Sequence, residues 1–131
     1  MAPASREPRR RALLIVDHGS RRAEANEAVE RLASRLRTLR PDLHVEHAHM
    51  EIAEPSFAKG VAACVSAGAR EIVVQPYFLG DGRHTNETIP ALVAEAGARH
   101  PEVVIRTTGH LGGHDKLVEI VLERAGEVLD D

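Results

Sequence analysis

Residues 12–22 read Ala-Leu-Leu-Ile-Val-Asp-His-Gly-Ser-Arg-Arg, and this stretch decides the fold. Ala12 to Val16 is a near-continuous apolar run. That is the pattern of a strand covered on both faces, the habit of parallel sheets flanked by helices. The run breaks at Asp17-His18-Gly19-Ser20. Helical spacing then follows from Arg22 to Leu39, where Ala25, Val29, Leu32, Leu36 and Leu39 step by four and three and predict an inward stripe. Pro41 ends the helix.

The same alternation recurs three times. His44 to Met50 predicts an edge strand, the most polar of the set, with Val45, His47 and His49 on one face and His44, Glu46, Ala48 and Met50 on the other. Ser56 to Ala67 predicts a helix with Phe57, Val61, Cys64 and Val65 inward and Gly68 as its stop. Glu71 to Gln75 predicts the third strand, followed by a loop over 76–83. Pro90 suits the first turn of the next helix, which runs to about Arg99. Val103 to Arg106 predicts the fourth strand, and the last helix runs from about His114 to Leu129. Its apolar arc (Leu117, Val118, Val121, Leu122, Ala125, Leu129) is wider than one sheet face needs and points to a subunit contact. Four strands alternating with four helices predict an α/β, flavodoxin-like domain with a four-stranded parallel sheet, right-handed crossovers, order 2-1-3-4 and helices on both faces.

Composition narrows the function. A chain of 131 residues fits one domain, expected over residues 11–131 behind a flexible tail at 1–10, since the Arg-rich, Pro-bearing stretch from Ser5 to Arg11 lacks the apolar core of a secretory signal. No apolar run approaches the ~20 residues of a membrane span. Aromatic residues make up 2% of the chain (Phe57, Tyr77 and Phe78), and the net charge is -3, so neither a base-stacking platform nor a basic footprint for nucleic acid is present. The single cysteine, Cys64, excludes an intrachain disulfide or a cysteine-ligated cluster within one chain, reads as core, and suits a cytoplasmic setting.

In a sheet of order 2-1-3-4, ligands bind beyond the carboxyl ends of the strands where the order reverses. The loops after the first and third strands meet there. The first reads Asp17-His18-Gly19-Ser20-Arg21-Arg22 and the second Leu79-Gly80-Asp81-Gly82-Arg83-His84. His18 and His84 therefore face one crevice, each beside glycine and arginine. Two neutral imidazoles suit borderline divalent ions such as Fe, Co, Ni or Zn and leave coordination positions open. Gly19 and Gly82 permit close backbone approach, and Ser20 is placed to cap the first helix. Arg21, Arg22 and Arg83 add positive charge suited to a polycarboxylate. His47 and His49 share a strand face two residues apart, a spacing that can make a ligand pair, but on an edge strand they read first as packing or surface positions. His44 and His100 read as surface. His110 and His114 can rim the same crevice. At this point the pair is a metal-site candidate, and insertion is one use of it among others. A phosphate-loop pattern is absent from the loop after the first strand.

The ordered series His18-Gly19-Ser20-Arg21, His49-Met50-Glu51 with Glu54-Pro55-Ser56, Pro76-Tyr77-Phe78-Leu79 with Gly82-Arg83-His84, Ile89-Pro90, and Leu111-Gly112 resembles the small class II sirohydrochlorin chelatases. The match runs from about Ala12 to Arg124. Its wording around His18 and His49 is closest to the sirohaem ferrochelatase branch; the family also holds the cobalt enzymes of anaerobic cobalamin synthesis. The resemblance implies one chelatase half, a homodimer, no organic cofactor, and a divalent metal (Fe2+, Co2+ or Ni2+) inserted as substrate into sirohydrochlorin. It implies that His18 and His84 bind the metal and assist deprotonation. Glu51, ending the second strand, can act as auxiliary ligand or proton acceptor as well as plain surface residue. Gly19, Ser20, Arg21, Gly82 and Arg83 are then the candidates to hold the peripheral carboxylates. One departure stands out: Thr88, preceded by Glu87, occupies the place where the family often has Asp. It keeps open a carrier that binds metal or tetrapyrrole without turnover.

Overall fold

A computed structural model describes residues 10–80 and 82–129, with residues 83–85 described by their backbone. The expected tail lies outside the described residues except for Arg10, whose carbonyl accepts from the amides of Arg70 (2.7 Å) and Glu71 (3.0 Å). The elements are β1 (Arg11–Asp17), α1 (Ala23–Leu39), β2 (His44–His49), α2 (Phe57–Ser66), β3 (Glu71–Pro76), α3 (Arg83–Arg99), β4 (Val104–Thr107) and α4 (Asp115–Leu129). All strand pairs are parallel, in the order β2-β1-β3-β4. The alternating pattern thus produces the expected sheet.

The pleat of β1 sends its side chains to two separate cores. Leu14 and Val16 join Ala48, Phe57, Val61, Cys64, Ile72 and Val74 under α2 and α3, while Ile15 joins Val29, Ala33 and Val45 under α1. Helices therefore cover both faces. Cys64 is fully buried, as its helical phase requires. Ser56 caps α2, its hydroxyl accepting from the Lys59 amide at 3.2 Å.

Three expectations need correction. The stripe of α1 is Val29, Leu32, Ala33 and Leu36 rather than one that includes Ala25 and Leu39; Leu39 is 72% exposed. Val29 and Ala33, one turn apart at the middle of the helix, are its fully buried residues. Second, α3 starts at Arg83, which places Pro90 inside the helix instead of in its first turn. The Asn86 amide bonds to the Gly82 carbonyl at 3.0 Å, and Ile89 is buried in the core. An internal proline costs about 3 kcal/mol of helix stability, a loss that the packing of Ile89 offsets. His84 consequently belongs to a helical first turn rather than to a loop. Third, α4 buries none of its residues: Val118, Val121 and Leu122 are each more than 60% exposed.

Candidate functional site at the carboxyl edge of the sheet

His18 follows the last residue of β1 and is exposed. Its ring leans on Phe78, with centroids 4.4 Å apart and planes tilted by 33°. Phe78 is almost fully buried and lies two residues beyond β3. The structure thus joins the loops after β1 and β3 through a His–Phe contact. Sequence reading placed these loops together but gave Phe78 no role.

The β1 loop is held from several sides. Gly19 has φ +90, and a Cβ there would stand 1.9 Å from the Glu51 carbonyl oxygen, so only glycine fits. The Glu51 amide donates to the His18 carbonyl at 3.2 Å, which seats Glu51 directly beside His18. Glu51 stands two residues beyond the end of β2 and is exposed. Ser20 does not cap α1. Its hydroxyl accepts from the Arg22 amide at 3.0 Å, and Arg22 is the N-cap residue without a side-chain cap. The Asn26 side chain grips Ser20 at both ends, its oxygen accepting from the Ser20 amide (2.9 Å) and its nitrogen donating to the Ser20 carbonyl (2.7 Å). Asn26 escaped sequence reading because it sits among the polar positions of an amphipathic helix. The amides of Gly19 and Ser20, expected to face a ligand, are instead bonded to Asp17 and Asn26. Arg21 and Arg22 are exposed where α1 begins.

In the loop after β3, Gly82 precedes α3, and Arg83 and His84 are its first two residues. Their side chains fall outside the described residues. Glu87 and Thr88 lie one turn further along α3, Glu87 exposed and Thr88 half-buried.

The loop after β4 buttresses this edge. Gln75 donates to the carbonyls of Pro76 and Gly109, both at 2.9 Å, and the Thr108 hydroxyl donates to Gln75 at 2.8 Å. The Leu111 amide bonds to the Phe78 carbonyl at 2.9 Å. A Cβ on Gly112 would come within 1.5 Å of the Leu79 carbonyl oxygen, so this crossing also requires glycine. His110 rims a cleft of about 200 Å³ shared with Phe78, Ile89 and Thr108. His114 instead caps α4, its Nδ1 accepting from the Lys116 amide at 3.1 Å. His44, expected at the surface, is only one-fifth exposed and contacts Glu46 at 2.6 Å. His49 is, among the described residues, the buried polar side chain of the core, and it pairs with Asp17. Among the described residues, no three His, Cys, Asp or Glu side chains form a metal-holding cluster.

Known proteins resemble this chain in sequence and fold. The family model described as CbiX matches residues 12–128. The chloroplastic sirohydrochlorin ferrochelatase of Arabidopsis thaliana is 40% identical over 112 residues, covering 86% of this chain and 50% of that protein. The cobalamin (vitamin B12) biosynthesis CbiX protein of Marinobacter aquaeolei VT8 superposes with a TM-score of 0.80 at 29% identity, covering 92% of this chain and 98% of the other. The sirohydrochlorin chelatase SirB of Bacillus subtilis subspecies spizizenii, solved in complex with cobalt, gives a TM-score of 0.84 at 28% identity, covering 91% of this chain and 51% of that one. The chain thus spans half the length of the Arabidopsis and Bacillus proteins. With the model match running from the first strand almost to the end of the last helix, and with solved CbiX-type chelatase structures superposing on the same fold, the chain belongs to the CbiX family.

Proposed function

We propose that this domain inserts a divalent metal, Fe2+ or Co2+, into sirohydrochlorin. The observation that carries the proposal is His18: an exposed imidazole at the switch point of the sheet, braced by Phe78 and by a loop bonded at every turn. The Arabidopsis sirohydrochlorin ferrochelatase and the cobalt-bound Bacillus sirohydrochlorin chelatase suggest the ring and the metals.

Insertion exchanges two inner N–H protons of the macrocycle for one M2+ ion. The step is redox-neutral, so the chemistry calls for no organic cofactor. His18 and His84 hold the metal through neutral imidazole nitrogens and accept the departing protons. Glu51, beside His18, is a second proton acceptor or auxiliary ligand. Arg21 and Arg83, with the backbone at Gly82, take the peripheral carboxylates. Gly19 and Ser20 contribute by shaping the loop, since their amides are already bonded. The test is anaerobic: protein, sirohydrochlorin and Co2+ or Fe2+, followed by absorption. Wild type should exceed the uncatalysed rate, and the double variant His18→Ala/His84→Ala should fall to background. Insertion by that variant at the wild-type rate overturns the assignment, and binding without turnover in the wild type favours the carrier reading.

A homodimer completes the proposal. The apolar face of α4, with a groove of about 360 Å³ beside Leu117, Val118, Val121 and Leu122, is left open by its own domain. A second copy offers the same face, and isologous pairing covers both. Val121→Glu should convert a dimer to a monomer in sedimentation analysis; a wild type that sediments as a monomer at micromolar concentration refutes the pairing. A cytoplasmic location accords with the buried thiol of Cys64, and fractionation of cells carrying the tagged protein checks it. Among the described residues no helix is long and apolar enough to cross a membrane.

A further inference from the structure

The geometry points to Asp17 and His49 as a positioning pair that sets the His18 loop for metal transfer. The inference rests on the chelatase reading of that loop. In the β1–β2 register Asp17 stands directly beside His49, and in-register neighbours of a parallel pair project to the same side. His49 Nδ1 lies 2.5 Å from Asp17 Oδ1, and the imidazole is 1% exposed. A carboxylate oxygen only accepts, so Nδ1 carries the hydrogen and donates. The same oxygen accepts the Gly19 amide at 3.0 Å. One atom therefore ties the residue before His18 to the residue after it, and His49 fixes where that atom is.

The surrounding backbone extends the hold. The Met50 amide donates to the Asp17 carbonyl at 2.9 Å, and the His49 amide to the Pro55 carbonyl at 2.9 Å. The His47 ring meets His49 edge-on, with centroids 5.7 Å apart, and restrains its plane. Stability does not explain such a pair, because apolar side chains of similar volume at a buried site commonly do as well or better. Its position does: His18 is the exposed group between the two ends of the Asp17–Gly19 bond, and partners that orient metal ligands commonly contribute 10–100-fold to affinity or activity.

The test uses the whole chain and four variants. His49→Leu removes the donor but keeps bulk. His49→Asn keeps a donor near the place of Nδ1. Asp17→Ala removes the acceptor, and Asp17→Asn retains an acceptor oxygen. In Co2+ insertion, His49→Leu and Asp17→Ala should lower kcat about 10–100-fold with KM for sirohydrochlorin nearly unchanged, while His49→Asn and Asp17→Asn recover most of the loss. Wild-type kcat in His49→Leu, or no difference between Leu and Asn at 49, overturns the inference. If His49→Leu does not fold, Asp17→Ala decides by the same kcat criterion, because its side chain stands at the partly open edge. Hydrogen exchange at the Gly19 amide reads the pair without activity. It should quicken in Asp17→Ala and return towards wild type in Asp17→Asn, and unchanged exchange in Asp17→Ala also overturns the inference. A wild type that fails to insert metal sinks the functional reading alone, since the exchange measurement still tests the pair.

Discussion

Replacing Gly19 with alanine should damage stability and activity together, and both effects can be sized from the structure. At φ +90 an L-residue costs about 1–2 kcal/mol. The new Cβ would lie 1.9 Å from the Glu51 carbonyl oxygen, where 3.0 Å is the closest real approach, so the two loops must part by about 1.1 Å. That movement breaks or weakens two bonds, Gly19 amide to Asp17 and Glu51 amide to the His18 carbonyl, each worth about 1 kcal/mol net. The total is about 3–4 kcal/mol, a large share of the roughly 5–15 kcal/mol that holds a domain folded. It should lower Tm by roughly 10 °C or more. Moving His18 by about 1 Å should also cost on the order of 100-fold in kcat. Gly80→Ala is the control: that position has open space and no positive φ, so Tm should hold or rise slightly. Thermal melts by circular dichroism and metal-insertion rates below both midpoints make the comparison. A Gly19→Ala protein with the Tm and rate of Gly80→Ala would refute the claim that this turn sets His18.

Two further outcomes follow from buried groups. Burial pushes the Cys64 thiol from 9.0 up to about 12, so at pH 8 only about one molecule in 10⁴ carries the thiolate that reacts; Ellman's reagent should titrate it in guanidinium and leave it untouched in native protein, and rapid native labelling would contradict the packing. His47 is held below its ordinary 6.5, chiefly by desolvation, with Glu30 opposing and His49 and Arg37 assisting. The unfolded chain then takes up the proton first, so this contribution to stability is whole above pH ~6.5 and is lost as pH falls towards the depressed folded value. The fall in Tm from pH 7.5 to 5 should be smaller in His47→Gln than in wild type, and an unchanged slope would show that His47 does not titrate differently on folding.

What the sequence determines by itself is local. Ala12 to Val16 had to be buried on both sides because it has no polar face, and repetition of strand and helix made the sheet parallel. Cys64 followed from helical phase, and His18 from its place at the end of an apolar strand in a doubly wound order. Residues 12–22 thus carried the fold and half of the candidate site.

Tertiary structure decides what touches what. Asp17 and His49 are 32 positions apart, and only the β1–β2 register brings them together. Asn26 looked like one more polar residue on a helix until the loop folded over it. Pro90 signalled a helix start because its ring clashes within a helix, yet the burial of Ile89 outweighs that local preference and carries α3 back to Arg83. The apolar arc of α4 showed that the helix needs a partner surface, but a pattern of hydrophobicity carries no address, and its own sheet does not supply one. Propensity and periodicity act over a few residues and are written in the chain; register, loop contact and the destination of an apolar face are sums over the whole packed molecule.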